Sequence, residues 1–426
     1  MREVSRKAST AAEVISRIQP GQRVFIHGAA ATPRALLREL VAQAPRLSNV
    51  ELIHIHTEGP ESAETARLHE HFRVVNLFIG PNIRPLLNYR EVDYLPCFLS
   101  EIPALFRSGR RPIDVALVSL SPINAQGFHT LGTSLDVARA ATDAAPTLLA
   151  EVNRRMPRVH GDGYIHSSRL VAFCEIEEPL PEGTAGTGGA VEAAIGRHIA
   201  SLVEDGSCIQ AGIGAIPNAA LAALHSHRHL GIHTEMASDG FLPLIEAGVI
   251  DNSRKRVHCG KTVASFLLGT RRLYDFVDDN PSLVLLGADY VNDASVISRN
   301  EKVVSINSAV EIDLTGQVCA DSVGHRVISG VGGQMDFMRG ASLSKGGKAI
   351  LAISSRTKKG QSRIVAELAT GAGVVTTRAH VHYVVTEYGI ADLVGKTLGE
   401  RAKSLIQIAH PDARESLERA WSGTHH

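Results

Sequence analysis

The feature that most constrains this chain is that part of it occurs twice. Residues 206–217 read Gly-Ser-Cys-Ile-Gln-Ala-Gly-Ile-Gly-Ala-Ile-Pro, an apolar strand running into a glycine turn and a helix start. Residues 231–236, Gly-Ile-His-Thr-Glu-Met, read as another strand ending on a carboxylate, Glu235. With an offset of 184 positions (212 − 28), Gly28 falls on Gly212, Pro33 on Pro217, Leu37 on Leu221 and Leu40 on Leu224. After a small change of loop length, His56-Thr57-Glu58 answers to His233-Thr234-Glu235. Two weaker matches follow in the same order: residues 124–127 resemble 313–316, and the strand 147–151 resembles 383–387. Recurring spacing of this kind marks a duplicated structural unit.

A chain of 426 residues exceeds one ordinary core. The segment 177–189 is rich in Pro, Gly, Glu and Thr, residues that punctuate and solvate a chain, so we divide it into domains 1–184 and 185–426. Strands 115–120, 282–286 and 349–354 are near-continuous apolar runs, which suits strands buried on both faces. They alternate with helices expected at 9–18, 191–203 and 362–368. The fold class is therefore α/β: two similar domains, each a mostly parallel sheet covered by helices. Further helices are expected at 393–408 and 413–421, broken at His410-Pro411-Asp412. In open α/β sheets ligands bind outside the carboxyl ends of the strands. The 212–214 turn and Glu235 are both expected on that rim.

Composition weighs against some functions. Lys and Arg total 44, as do Asp and Glu, a balance that gives no support to a nucleic-acid partner. The five cysteines are scattered and never form a CxxC pair, so no zinc or disulfide framework is expected. The first residues lack the apolar run of a signal peptide, and no stretch approaches the ~20 apolar residues of a membrane span. A soluble cytoplasmic protein is the expectation.

A duplicated protein with one active site has broken its symmetry. The second copy reads Gly212-Ile213-Gly214 where the first has Gly28-Ala29-Ala30. Gly214 permits positive φ and close approach of a ligand to the backbone, which Ala30 does not permit cheaply. Glu235 is therefore preferred to Glu58 as the working carboxylate. A dinucleotide-binding reading fails, because Pro217 stands where GxGxxG has its third glycine. Structural readings stay open beside the functional ones: the glycine turn as a plain strand-to-helix connection, and Glu235 as the cap of a helix starting at Met236 or Ala237. The second glycine cluster, 329–337, offers either an amide cradle for an oxyanion or a bulged loop. Lys358, beyond the next strand, is either a phosphate contact or a solvated loop residue. His225, His227 and His229 alternate in a loop with no Asp, Glu or Cys completing a ligand set, and no metal is assigned to them. Residues 387–393 read as a strand end, a turn and a capped helix.

Gly-Ile-His-Thr-Glu-Met at 231–236, Ser-Gly-Val-Gly-Gly-Gln-Met-Asp-Phe at 329–337 and Thr-Glu-Tyr-Gly-Ile-Ala-Asp-Leu at 386–393 together resemble the acetyl-CoA hydrolase/transferase family. So do 114–122 and 151–158 in the first half. The chain most resembles the branch containing 4-hydroxybutyrate CoA-transferase, among class I CoA-transferases. The resemblance implies two similar α/β domains and a glutamate nucleophile at Glu235. It implies CoA contacts from Gly212, Ile213, Gly214, Ala215 and Ile216, with Gly332 and Gly333 touching CoA or the acyl carbonyl. Asn307 and Lys358 align less closely and complete the expected set. The implied reaction moves CoA between a short-chain acyl-CoA and a carboxylate such as 4-hydroxybutyrate, butyrate or acetate through a glutamyl-CoA thioester; acyl-CoA hydrolysis by the same glutamate is the alternative. No metal or prosthetic group is implied, and a homodimer or larger homo-oligomer is.

Overall fold

The structure is a computed structural model and describes residues 8–59, 67–183, 186, 188–212 and 214–424. The chain forms two compact units, Met1–Gly183 with Val263–Tyr290, and Thr184–Thr262 with Val291–His426. A single division at 184/185 does not describe this: residues 263–290, expected in the second half, belong to the first unit. There Leu283–Leu285 pairs in parallel with His160–Gly161 of the same unit. Residues 184 and 185 themselves lie outside the described residues.

In the first unit Thr10 and Glu13 form a capping box that starts helix α1 (Ala11–Ile15). Strand β1 (Arg23–Ile26) leads to helix α2 (Arg34–Ala42), then to strands β2 (Glu51–His54), β3 (Arg73–Asn76), β4 (Val92–Tyr94), β5 (Val115–Leu120), β6 (Thr147–Asn153) and β7 (Leu170–Ile176). The seven strands are all parallel, in the spatial order β7-β6-β5-β1-β2-β3-β4. Every residue of β5 is buried, the cost-free state for an apolar run covered on both faces. One face of the sheet packs Val24, Ile26, Leu52, Val74, Val115 and Leu117 against Leu36, Leu37 and Leu40 of α2.

The second unit begins with helix α3 (Ala190–Leu202), then strand β8 (Cys208–Ala211), helix α4 (Ala215–Ala222) and strand β9 (Gly231–Ile232). Strand β10 (Val303–Ser308), helix α5 (Gln334–Leu343), strands β11 (Lys348–Ala352), β12 (Tyr383–Thr386) and β13 (Gly389–Asp392), and helices α6 (Leu398–Ile408) and α7 (Pro411–Thr424) complete it. Its sheet order is β9-β8-β10-β11-β12-β13, parallel except for β13. In both units the first strand is flanked by the second on one side and by a later strand on the other, so the order reverses between β1 and β5 and between β8 and β10. The duplicated strand-turn-helix stretches are the ones that form these two switch points.

Three local expectations give way. Residues 362–368 form no helix; the β-branched pair Ile364–Val365 is a strand that pairs in parallel with Glu311–Asp313. Residues 387–393 do not start a helix either: Glu387 and Tyr388 turn the chain, and Gly389, at φ 142°, opens β13. Helix α6 starts only at Leu398, behind the Thr397–Glu400 capping box. Counted outward from the switch point, β6 is second and β12 third, so 147–151 and 383–387 are not equivalent strands. The counterpart of β6 is β11.

His54, at the end of β2, is fully buried, and neither ring nitrogen has a hydrogen-bond partner among the described residues. Burial, with His56 adding to it, pushes its pKa down to about 4. A depressed folded-state value stabilises the fold above the unfolded-state value of 6.5, and that stability is lost as pH falls toward about 4. Each pH unit costs roughly 1.4 kcal/mol at most. Urea midpoints measured from pH 7 to pH 4 are expected to fall steeply for the native chain and less steeply for His54→Leu.

Candidate active site

Strand β8 ends at Ala211, and the turn into α4 lies at the switch point beside the end of β10. Gly212 N–H points to the Ile306 carbonyl at 3.4 Å. Gly214 is the N-cap of α4 with φ 120° and ψ 178°, a conformation essentially restricted to glycine. No side chain caps α4, and a Cβ built on Gly212 or Gly214 would meet nothing within 4 Å. Ala215 and Ile216 open the helix, and Pro217 supplies no N–H. Ile213 lies outside the described residues.

The first unit's turn is closed where this one is open. A Cβ on Gly28 would lie 2.8 Å from the His56 carbonyl oxygen, and the positive φ falls on Ala29, at 50°. The start of α2 is filled by Glu151 of β6, whose Oε2 accepts from Ala35 N–H at 3.0 Å and Leu36 N–H at 3.3 Å. Glu151 is buried, and burial pushes its carboxyl up to about 8 against the pull of those donors. Strand register identifies its counterpart. Ile26 pairs with Leu117 and, 184 positions on (210 − 26), Gln210 pairs with Ser305. Two residues further, Ser119 faces Glu151 and Asn307 faces Leu351. An apolar Leu351 thus stands where the first unit carries the carboxylate that plugs its helix.

Glu235 follows β9. His233 N–H donates to the Ile209 carbonyl at 3.2 Å, and the Thr234 hydroxyl reaches the carbonyls of Ala211 at 3.3 Å and Met236 at 3.0 Å. Met236–Ala237 is extended, so Glu235 caps no helix there. Its half-buried carboxylate accepts from Asn292 Nδ2 at 2.8 Å through Oε2, and the same Nδ2 lies 3.3 Å from Asp336 Oδ2. Asn292 is 1% exposed, and its Oδ1 has no partner among the described residues. Gly333, the N-cap of α5, lies against the pair: a Cβ there would come within 1.7 Å of Glu235 Oε2 and 2.1 Å of Asn292 Nδ2. Gly332 has φ 55°. A carboxylate at the start of a ten-residue helix sits in a field that favours negative charge.

Glu235, Gly332 and Gly333 are therefore together, with the 212–216 turn one strand away through Thr234 and Ala211. Asn307 stands at the end of β10, its Nδ2 bonded to Ser305 Oγ at 2.8 Å and Gln210 Oε1 at 3.2 Å. Lys358 is exposed on the turn of the 356–362 hairpin. Asn292 and Asp336 were not singled out from the sequence. Asp336 lies inside the 329–337 motif, whereas Asn292 is 57 positions from Glu235 and carries no local signal. His229 pairs with Asp251 at 2.7 Å and His227 bonds the Val203 carbonyl. Among the described residues no group of three or more His, Cys, Asp or Glu side chains could hold a metal.

A duplicated α/β protein that presents one carboxylate, backed by an amide and a helix start, at a switch-point rim has the architecture of an enzyme acting on a small molecule. The acetyl-CoA hydrolase/transferase N-terminal domain matches residues 1–213, and the C-terminal domain of the same family matches residues 269–421. The chain is similar to the succinyl-CoA:acetate/propanoyl-CoA:succinate CoA transferase of Fasciola hepatica, at 49% identity over 97% of this chain and 87% of that protein. It is 48% identical to the 4-hydroxybutyrate coenzyme A transferase of Clostridium kluyveri over 96% of both chains. The solved structure of a 4-hydroxybutyrate CoA-transferase from Porphyromonas gingivalis superposes with a TM-score of 0.84 at 39% identity, covering 98% of this chain and 97% of that one. The chain belongs to the acetyl-CoA hydrolase/transferase family, a family of enzymes acting on CoA thioesters. No helix among the described residues is long and apolar enough to cross a membrane.

Proposed function

We propose that this enzyme transfers CoA between a short-chain acyl-CoA and a carboxylic acid, with Glu235 as the covalent nucleophile. The observation that carries the reading is the Glu235 carboxylate held by Asn292 against Gly333 at the start of α5. A Glu235 oxygen attacks the thioester carbonyl, the C–S bond breaks, and a glutamyl–acyl anhydride and CoA thiolate form. The thiolate attacks the glutamyl carbonyl, releasing the first acid as its carboxylate and leaving a glutamyl-CoA thioester. An incoming carboxylate reverses both steps and departs as the new acyl-CoA. Charge balances at each stage without a metal or prosthetic group, and the kinetics are ping-pong.

Oxyanions form first on the acyl carbonyl and then on the glutamyl carbonyl. The Asn292 amide, already on Oε2, is the donor for the second, and the backbone of the 330–333 loop supplies donors for the first. CoA lies along the uncapped start of α4, touching Gly212, Ile213, Gly214, Ala215 and Ile216, with Gly332 and Gly333 at its thioester end. Asn307 and Lys358 are the outer members of the same proposal. A homodimer or larger homo-oligomer in the cytoplasm belongs to it as well.

Acetyl-CoA mixed with butyrate is expected to yield butyryl-CoA, and acetyl-CoA alone to release CoA far more slowly. Release of CoA at the same rate with and without the acid would replace transfer with hydrolysis at the same glutamate. The two activities differ in whether water reaches the anhydride or thioester.

A further inference from the structure

Glu235 and Asn292 reach the site from chain segments 57 positions apart, and a nucleophile is only as well placed as the joint between such segments. His233 spans that joint. Its backbone lies two residues before Glu235, and its Nε2 lies 2.8 Å from the carbonyl oxygen of Val291, the residue immediately before Asn292. The ring also packs against Phe337 of α5, centroid to centroid at 6.2 Å, so it touches the helix whose first turn backs the carboxylate. We propose that His233 is a positioning residue: as a neutral imidazole donating from Nε2 to Val291, it fixes the spacing between Glu235 and Asn292.

The protonation state follows from the surroundings. His233 is 1% exposed, and burial, followed by the charge of Lys255, pushes its pKa down to about 3. Lys255 is itself buried, its Nζ donating to the Ile232 carbonyl at 2.7 Å and the Lys261 carbonyl at 2.6 Å. A neutral ring has one N–H. Because a carbonyl can only accept, that proton resides on Nε2. Nδ1 has no partner among the described residues, so a proton there would be a buried donor with nothing to meet. Asn252 adds to the clamp: its Oδ1 accepts from Ile232 N–H at 2.8 Å, so the outer edge of β9 is held by two side chains in place of a further strand.

The inference rests on Glu235 as nucleophile, and three substitutions test it. His233→Gln carries an amide N–H that reaches the position of Nε2; His233→Asn carries one that stops short; His233→Met fills the volume without a donor. Hydrogen bonds that orient metal ligands from the outer shell are typically worth ~10- to 100-fold in activity, and the same scale is taken for one that orients a nucleophile. The expected result is kcat lowered by about that factor in Asn and Met, KM for acyl-CoA within about threefold, and kcat within about threefold of native in Gln. The three variants should share one thermal midpoint within a few degrees. Native kcat in a folded Asn or Met variant would overturn the proposal, as would a Gln variant as slow as the others. If Met does not fold, the Gln–Asn comparison decides alone. Full activity in Glu235→Ala would instead remove the nucleophile, a failure separate from any outcome at His233.

Discussion

Glu235→Ala is expected to lower CoA transfer by at least about 10⁴-fold, the scale on which removal of a covalent nucleophile is felt when binding and oxyanion donors remain. Acyl-CoA affinity should change little, because the proposed CoA contacts at the start of α4 are untouched. The fold should survive: the carboxylate is half-buried, and truncation leaves Asn292 with Asp336 as an acceptor at 3.3 Å. Glu58→Ala is the internal control, since the first unit's turn is packed against the His56 carbonyl and its helix start is filled by Glu151. A steady-state assay of both variants checks the asymmetry. Equal loss in the two would assign the working carboxylate wrongly.

Gly333→Ala is the second large effect. The added methyl would lie 1.7 Å from Glu235 Oε2 and 2.1 Å from Asn292 Nδ2. Asn292 cannot yield, being 1% exposed and bonded to two carboxylates, whereas the half-buried Glu235 carboxylate can. The carboxylate must therefore swing away from Asn292 and from the start of α5. A displacement of about 1 Å at a reacting group costs ~100-fold, so kcat is expected to fall by that factor or more. Position 333 has φ −101°, which alanine adopts without strain, so the loss should appear in kcat with little change in thermal midpoint. A Gly333→Ala enzyme with native kcat would show that the carboxylate works in a different position.

Part of the proposed site is legible through the duplication, and part, the 329–337 glycine cluster, through the family resemblance. Residues 23–42 and 208–222 formed the same strand-turn-helix twice, and the difference between Ala30 and Gly214 marked the open copy. Glu235 is preferred to Glu58 because it belongs to that copy, and its role as nucleophile is what the family resemblance implies. What was not readable came from chain segments brought together by sheet order. Asn292 reaches Glu235 from 57 positions away, just where the chain re-enters the second unit at Val291, and a lone asparagine ahead of the helix Ala294–Ser298 advertises only the neighbouring Asp293 cap. Glu151 and Leu351 acquire meaning only through register, since by residue pattern 147–151 resembles 383–387 and not β11. The errors at 362–368 and 387–393 share one cause. Short polar-and-apolar stretches fit either period, and in each the neighbouring strand decided: Glu311–Asp313 for Ile364–Val365, and β12 for β13.

On the proposed mechanism, Glu235 carries CoA covalently between the two half-reactions. Incubating the enzyme with acyl-CoA, treating it with borohydride and mapping its peptides by mass spectrometry tests this directly. A glutamyl thioester at Glu235 should be reduced to the alcohol, with Glu58 unmodified. An unmodified peptide spanning 231–240, from enzyme that is turning over, would contradict it.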